Sequence, residues 1–213
     1  MQLPLFPLKV VLFPGALIPL HIFEPRYRQL LADVQATDRR FGLLPPGSAA
    51  EPPPSGAIGT SALVLAVMPL PEGRANIVVS GERRFRFLEL LPGSTPYYRG
   101  RIEWFDDLPD VQVPTEADLE LLHHLGGRYA AALSLLADQA IEVKFPGSAP
   151  ELSFEVAALL EWEFDARQHL LEIRSATERV ERLLHALPVL LASAEERALV
   201  HDRAKQNGRG KIR

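Results

Sequence analysis

The apolar residues of this chain change their spacing at about residue 114. Before that point, short apolar runs separated by Pro and Gly recur with a period close to two, which is typical of β-strands. From Thr115 onward, apolar residues recur every three or four positions, which is typical of amphipathic helices. The sequence therefore predicts an α+β protein with a β-rich domain over 1–113, an α-helical bundle over 114–205 and a flexible basic tail over 206–213.

The β-rich region also contains the pattern of one helix. Pro25 suits a first helical turn because its missing N–H would be unpaired there anyway, and Tyr27, Leu30, Leu31 and Val34 then recur at helical spacing. We expect this helix to pack on the sheet. The strands themselves are predicted at 2–5, 10–13, 17–22, 41–44, 62–68, 77–79, 84–90 and 98–105.

The helical region begins with a capping signal. Thr115 followed by Asp118 resembles a capping box, in which each residue satisfies a backbone donor at the start of a helix. Further helices are predicted to begin near 153, 165 and 175. Pro188 is expected to kink or end the last long helix, because proline removes a helical hydrogen bond.

Composition excludes several function classes. The chain has no cysteine, so disulfides, cysteine zinc sites and thiol nucleophiles are all excluded. Residues 1–113 hold 11 basic and 11 acidic side chains, against 12 and 16 in the remainder, so nucleic acid is not an indicated partner. No basic leader and no apolar run of about 20 residues occurs, which indicates a cytoplasmic protein with no membrane contact. No cofactor or metal is expected.

A specific run of motifs lies between residues 3 and 31. It comprises L-P-L-F-P-L at 3–8, F-P-G at 13–15, P-L-H-I-F-E at 19–24 and E-P-R-Y at 24–27. This segment resembles the opening of the Lon protease amino-terminal domain family. A weaker similarity lies at G-E-R-R-F-R-F, residues 81–87, and the helical half is similar in layout.

The resemblance implies a PUA-like β-barrel followed by a helical bundle. It also implies a substrate-recognition role, with unfolded or tagged polypeptides as partners. In Lon, separate domains hydrolyse ATP and cut peptides, and this sequence carries no G-x-x-x-x-G-K-[ST] phosphate loop. We therefore expect a stand-alone, non-enzymatic peptide-binding module, an adaptor or regulator of intracellular proteolysis that serves a protease or chaperone.

Peptide capture needs an exposed apolar groove or a free sheet edge. The candidate peptide-binding residues are Phe13, Leu17, Phe23 and Tyr27, near the F-P-G turn and the predicted helix start. Glu24 is expected to cap this helix and to pair with Arg28. The remaining motif residues are expected to have structural roles, and they are Pro14, Gly15, His21, Glu24, Pro25 and Arg26.

Two alternative functions remain open. An RNA-binding module would use the cluster of Arg83, Arg84 and Arg86 with Phe85 and Phe87, but strand alternation places the aromatic and basic side chains on opposite faces. This separation favours a structural strand.

An unrecognised hydrolase would use His21 with Glu24 as an acid/base pair, although these residues flank a predicted strand-to-helix junction. His123 and His124 are adjacent, so on a helix they diverge by about 100° and cannot easily share one metal ion. The oligomeric state is left open by the sequence.

Overall fold

The computed structural model describes residues 1–48, 52–141, 143, 145 and 147–209. This part of the chain contains strands and helices as the α+β prediction requires, and the predicted class is confirmed. The strands are β1 (Gln2–Pro7), β2 (Leu17–Ile22), β3 (Arg40–Leu44), β4 (Ile58–Pro69), β5 (Ala75–Leu90) and β6 (Arg99–Trp104). The helices are α1 (Pro25–Gln35), α2 (Glu116–Ala137), α3 (Ala149–Leu159), α4 (Phe164–Glu172) and α5 (Ala176–Arg209). None of the described helices combines the length and apolar composition that crossing a bilayer requires.

The chain divides into two compact units. The first comprises Met1–Leu108 together with Trp162–Arg174, and the second comprises Pro109–Glu161 and the chain from Ser175 onward. The sequence-based boundary at 113/114 lies near the first transition, but the apolar pattern gave no sign that α4 returns to the first unit. Of the predicted tail over 206–213, α5 continues to Arg209 and residues 210–213 lie outside the described residues.

The strands of the first unit pair in a closed cycle. β1 pairs parallel with β3, and the antiparallel pairs β3–β4, β4–β5, β5–β6 and β6–β1 complete the ring. β5 is long enough, at 16 residues, to pair with β2 along its first half and with β6 along its second. β2 is therefore attached to the cycle through β5 alone among the described strands.

The interior of this cycle is filled by aliphatic and aromatic side chains, which are Leu3, Leu5, Leu44, Phe85, Phe87 and Ile102. Gly42 and Gly59 make room for the ring of Phe85, because a Cβ atom at either position would lie 2.7–2.8 Å from its Cζ atom. The predicted strand at 10–13 is wrong. Val11, Leu12 and Phe13 are buried one after another. A strand with one covered face buries alternate residues, so this segment is an irregular connection rather than a strand.

Arg84 links α4 to the strands of the first unit through hydrogen bonds. Its guanidinium is buried, donates to the carbonyl oxygens of Leu171 (2.6 Å) and Ile173 (2.7 Å), and forms an ion pair with Asp107. Arg84 is thus buried although strand alternation places it on the opposite face from Phe85 and Phe87. α4 covers that part of β5, which a strand pattern alone does not reveal.

The second unit is built on α2, α3 and α5. The Thr115–Asp118 capping box is confirmed, with Asp118 N–H donating to Thr115 Oγ1 at 3.2 Å and Thr115 N–H to the Asp118 carboxylate at 3.0 Å. α3 begins at Ala149, earlier than predicted. α5 does not end at Pro188, because buried Leu187, Leu191 and residues beyond continue one packed face across the proline.

Candidate peptide-binding surface

β2 exposes a set of uncharged side chains on one side of the sheet. Leu20 and Ile22 are buried, whereas Leu17, Pro19 and His21 point to the opposite side and are exposed, Leu17 at 60%. Side chains in a strand alternate between faces, so this pattern means that only one side of β2 is covered.

The exposed side continues across β5 and β4. Val78 lies between Pro19 and Ala66, and Asn76 lies between His21 and Met68, because paired residues of neighbouring strands share a face. A bulge after Val64 adds the exposed Leu65. We call this surface the outer face, and it comprises Leu17, Pro19, His21, Phe23, Leu63, Leu65, Ala66, Met68, Asn76, Val78 and Ser80.

Four large apolar side chains of the outer face are substantially open to solvent. Their exposed fractions are 60% for Leu17, 57% for Phe23, 53% for Met68 and 46% for Leu65. Scattered single apolar residues are normal on a protein surface, but a contiguous apolar patch indicates an interaction site. The outer face contains no Lys, Arg, Asp or Glu.

One charged pair lies at the border of the outer face. Arg40 donates two hydrogen bonds to the Glu82 carboxylate, both 2.8 Å long, and Ser61 adds a third at 3.1 Å. The bonds from Arg40 hold the pKa of Glu82 below its usual value. This ion pair marks the end of the uncharged surface beyond Ser80 on β5.

His21 is part of the outer face rather than of an acid/base pair. Its Nδ1 lies 2.7 Å from Asn76 Oδ1, and its ring stacks on Phe23 with centroids 5.8 Å apart. Glu24 instead pairs with Arg26 at 2.9 Å, and its side chain makes no capping bond to α1. The predicted pairing of Glu24 with Arg28 and its predicted cap are therefore wrong.

The four candidate peptide-binding residues do not form one surface. Leu17 and Phe23 lie on the outer face, but Phe13 is 1% exposed and Tyr27 is 4% exposed. The Phe13 ring lies under the guanidinium of Arg167, and the Tyr27 ring contacts Phe6 with centroids 4.0 Å apart. Both buried residues belong to the core of the first unit.

The other motif residues build the turn and the helix start. Gly15 has a φ of 83°, a left-handed conformation that glycine adopts without strain, and its N–H donates to Gly81 O. Pro14 precedes it in this turn. Pro25 occupies the first turn of α1, and Arg26 stacks on Tyr27 at 4.5 Å.

Several outer-face residues, including Met68, Val78 and Pro19, were not among the sequence-based candidates. A signal for them exists in the printed sequence, since the runs LIPLHI and ALVLAVMP are apolar at both odd and even positions. A strand of this kind is apolar on both faces. Where only one face of the sheet is covered, the other remains as an apolar surface.

The open edge of β2 lacks one backbone donor. Gly81 N–H donates to Ala16 O, which places the even-numbered residues of β2 in hydrogen-bonded pairs with β5. The backbone groups of Leu17, Pro19 and His21 therefore point away from β5. Pro19 has no N–H, and proline at such a position hinders addition of a further strand.

The basic strand proposed for RNA is neutralised by carboxylates. Arg83 pairs with Asp106 at 2.7 Å and Arg86 with Glu103 at 3.1 Å, while Arg84 is buried. Within the described residues, no group of three His, Asp or Glu side chains is arranged to hold a metal ion.

Comparison with known proteins identifies the family. The family model described as the ATP-dependent protease La (LON) substrate-binding domain matches residues 2–188. Lon protease 1 of Syntrophobacter fumaroxidans is 25% identical over 187 residues, covering 85% of this chain and 23% of the relative. The Lon protease of Anaeromyxobacter dehalogenans is 29% identical over 195 residues, covering 87% and 23%. The chain thus spans less than a quarter of the length of these curated relatives.

Solved structures agree with this match. A Lon N-terminal domain protein from Xanthomonas campestris, known from its crystal structure, has a TM-score of 0.65 and 28% identity, covering 87% of this chain and 98% of that one. The N-terminal domain of a Mycobacterium avium complex Lon protease has a TM-score of 0.61 at 18% identity, covering 88% and 98%, which shows the fold alone. The resemblance in the sequence is confirmed, and the chain belongs to the Lon substrate-binding domain family.

Proposed function

We propose that the outer face binds apolar segments of unfolded polypeptides. The observation that carries this proposal is the contiguous exposure of Leu17, Phe23, Leu65 and Met68 on a surface without charged residues. Unfolded chains present apolar side chains that a folded protein hides, so they are the class of ligand that this surface selects. Membership of a substrate-binding family supports the same assignment.

Binding on this surface relies mainly on side chains. The missing N–H of Pro19 interrupts the open edge of β2, so an added strand would lose a central main-chain bond. The broad row formed by Pro19, Val78 and Ala66 instead offers a flat apolar strip to the ligand. Low sequence selectivity is the consequence, which suits the recognition of many unfolded proteins.

The proposal places the protein among non-enzymatic adaptors of intracellular proteolysis. It would hold unfolded or tagged cytoplasmic polypeptides for a protease or a chaperone, without a cofactor of its own. The arrangement of His21 with Asn76 rather than with a carboxylate supports a binding role over acid/base chemistry. The paired arginines of β5 support protein over RNA as the ligand.

Fluorescence anisotropy with a labelled, uncharged, unstructured apolar peptide tests the proposal. The substitutions Leu17→Ser, Phe23→Ser and Met68→Ser each remove an exposed apolar group and should weaken binding up to about tenfold. Leu108→Ser is the matched control, because Leu108 is 55% exposed outside the outer face. Equal affinities of all four variants and the unsubstituted protein would contradict the proposal.

A further inference from the structure

The last part of α5 carries a stripe of four exposed residues. Glu196, Leu199, Val200 and Arg203 follow one another at spacings of three, one and three, so they lie on one side of the helix. Leu199 is 60% exposed and Val200 is 61% exposed. Along the helix, the order of the four residues in the stripe is therefore acidic, apolar, apolar and basic.

Within the part of the chain that the structure describes, the two charges of the stripe are unpaired, whereas neighbouring charges on α5 are paired. Glu195 binds Arg128 at 2.6 Å and Arg197 binds Glu161 at 2.9 Å, both within the second unit. Glu196 and Arg203 have no ion-pair partner among the described residues. This stretch of α5 thus leaves one acid and one base available on the same side as its exposed apolar pair.

An apolar groove borders the stripe. It lies between α2 and α5, has a volume of about 500 Å³, and its apolar lining is Ala131, Ala132, Leu135, Ala198 and Leu199. Leu135 is 57% exposed. The small alanines let another helix approach closely, and the two leucines extend the apolar surface beyond Val200.

We propose that the stripe pairs with the same stripe of a second copy of this chain. A two-fold axis between residues 199 and 200, with the two α5 helices antiparallel, places Leu199 against Val200 of the partner subunit. The same axis places Glu196 of each copy against Arg203 of the partner subunit, so the interface contains two equivalent ion pairs. A two-fold interface must be self-complementary, and the order acid, apolar, apolar, base meets that requirement.

Other alignments of two such helices lack this complementarity. A parallel pairing in register would set Glu196 against its own copy and Arg203 against its own copy, which repels on both sides. The apolar area of the antiparallel pair is modest compared with the roughly 1,200–2,000 Å² of a stable interface. The dimer is therefore weak and forms as the protein concentration rises.

Sedimentation equilibrium of the full chain, from micromolar concentration to about 1 mM, tests this pairing. Glu196→Arg and Arg203→Glu each place like charges opposite one another, and should raise the dissociation constant about tenfold. The double variant Glu196→Arg with Arg203→Glu restores both pairs and should return the constant toward its original value. Glu181→Arg is the matched control for Glu196→Arg, because Glu181 is exposed on α5 away from the stripe and its substitution changes the net charge by the same amount.

Mixing the two single variants provides a second measurement. The stripe of the Glu196→Arg copy then carries two basic residues, and the stripe of the Arg203→Glu copy carries two acidic residues. The mixture should therefore dimerise more strongly than either variant alone. A monomer throughout the concentration range would overturn the proposal. A loss of dimer affinity that the double variant does not recover, or that Glu181→Arg reproduces, would also overturn the proposal.

Discussion

The guanidinium of Arg84 lies 2.7 Å from the carbonyl oxygen of Ile173, which is 89 residues later in the chain. This contact, with the bond to Leu171 O and the ion pair to Asp107, holds α4 on the strands of the first unit. Replacing Arg84 by Leu leaves the Asp107 carboxylate and both carbonyl oxygens without this donor. We expect a loss of about 3–5 kcal/mol in the free energy of unfolding, measured by urea denaturation.

Arg86→Leu is the control for this prediction. Arg86 pairs with Glu103 at 3.1 Å, but the two side chains are 41% and 51% exposed, and such pairs contribute about 1 kcal/mol or less. Similar losses in the two variants would show that the buried bonds of Arg84 do not stabilise the first unit.

The return of α4 to the first unit could not be predicted from apolar spacing. Spacing reports which side of a helix is apolar, but not which unit covers it. The packing of α4 on the first unit is specified by single polar groups. Besides the bonds from Arg84, Gln168 donates to Ile58 O at 3.0 Å. By contrast, α1 and the start of α2 were predicted correctly, because Pro25 and the Thr115–Asp118 pair act within their own helical turns.

The outer face was predictable only in part. The prediction of Leu17 and Phe23 rests on their position near the family motifs, and the same reasoning applies equally to Phe13 and Tyr27, which are buried. Sequence alternation identifies two apolar faces on β2, but the covered face is decided by packing from elsewhere in the chain. The site therefore depends on which side of the sheet stays uncovered.

Acid should weaken the contribution of the Arg40–Glu82 pair. The pKa of Glu82 is lowered in the folded state, so its stabilising effect is present above the usual glutamate range near pH 4.5 and is lost as the pH falls through the lowered value. Glu82→Gln cannot ionise. At pH 7 it should be less stable than the unsubstituted protein by about 1 kcal/mol or less, since the two side chains are 36% and 29% exposed.

The difference in the free energy of unfolding between Glu82→Gln and the unsubstituted protein should shrink below pH 4.5. Urea denaturation across a pH series measures it. Glu89→Gln is the control, because the pair between Glu89 and Arg101 is more than half exposed on both sides. A stability difference for Glu82→Gln that stays constant down to pH 2 would rule out this ion pair as its source.

Restoring a donor at the open edge of β2 should strengthen peptide binding. Pro19→Val adds an N–H that points away from β5, so an extended peptide gains one main-chain hydrogen bond and binds about fivefold tighter. Anisotropy titration measures the gain, and Pro19→Ala should change affinity in the same direction. A peptide with backbone esters in place of amides offers weaker carbonyl acceptors to this N–H, so an equal gain with that peptide would attribute the effect to the side chain instead.

A charge placed within the outer face should change the class of ligand that it accepts. Ser80 is half-buried and pairs with Leu17 and Leu63 across the neighbouring strands, so Ser80→Lys introduces a cation without removing an apolar side chain. Binding of a neutral apolar peptide would then desolvate the ammonium group, and the affinity should fall about tenfold. A peptide of the same length with one added Asp should lose much less, because it can pair with the new charge. Ser94→Lys gives the same change of net charge at an exposed position between β5 and β6, and should leave both affinities unchanged. If Ser94→Lys weakens the neutral peptide as much as Ser80→Lys does, net charge rather than the outer face governs binding.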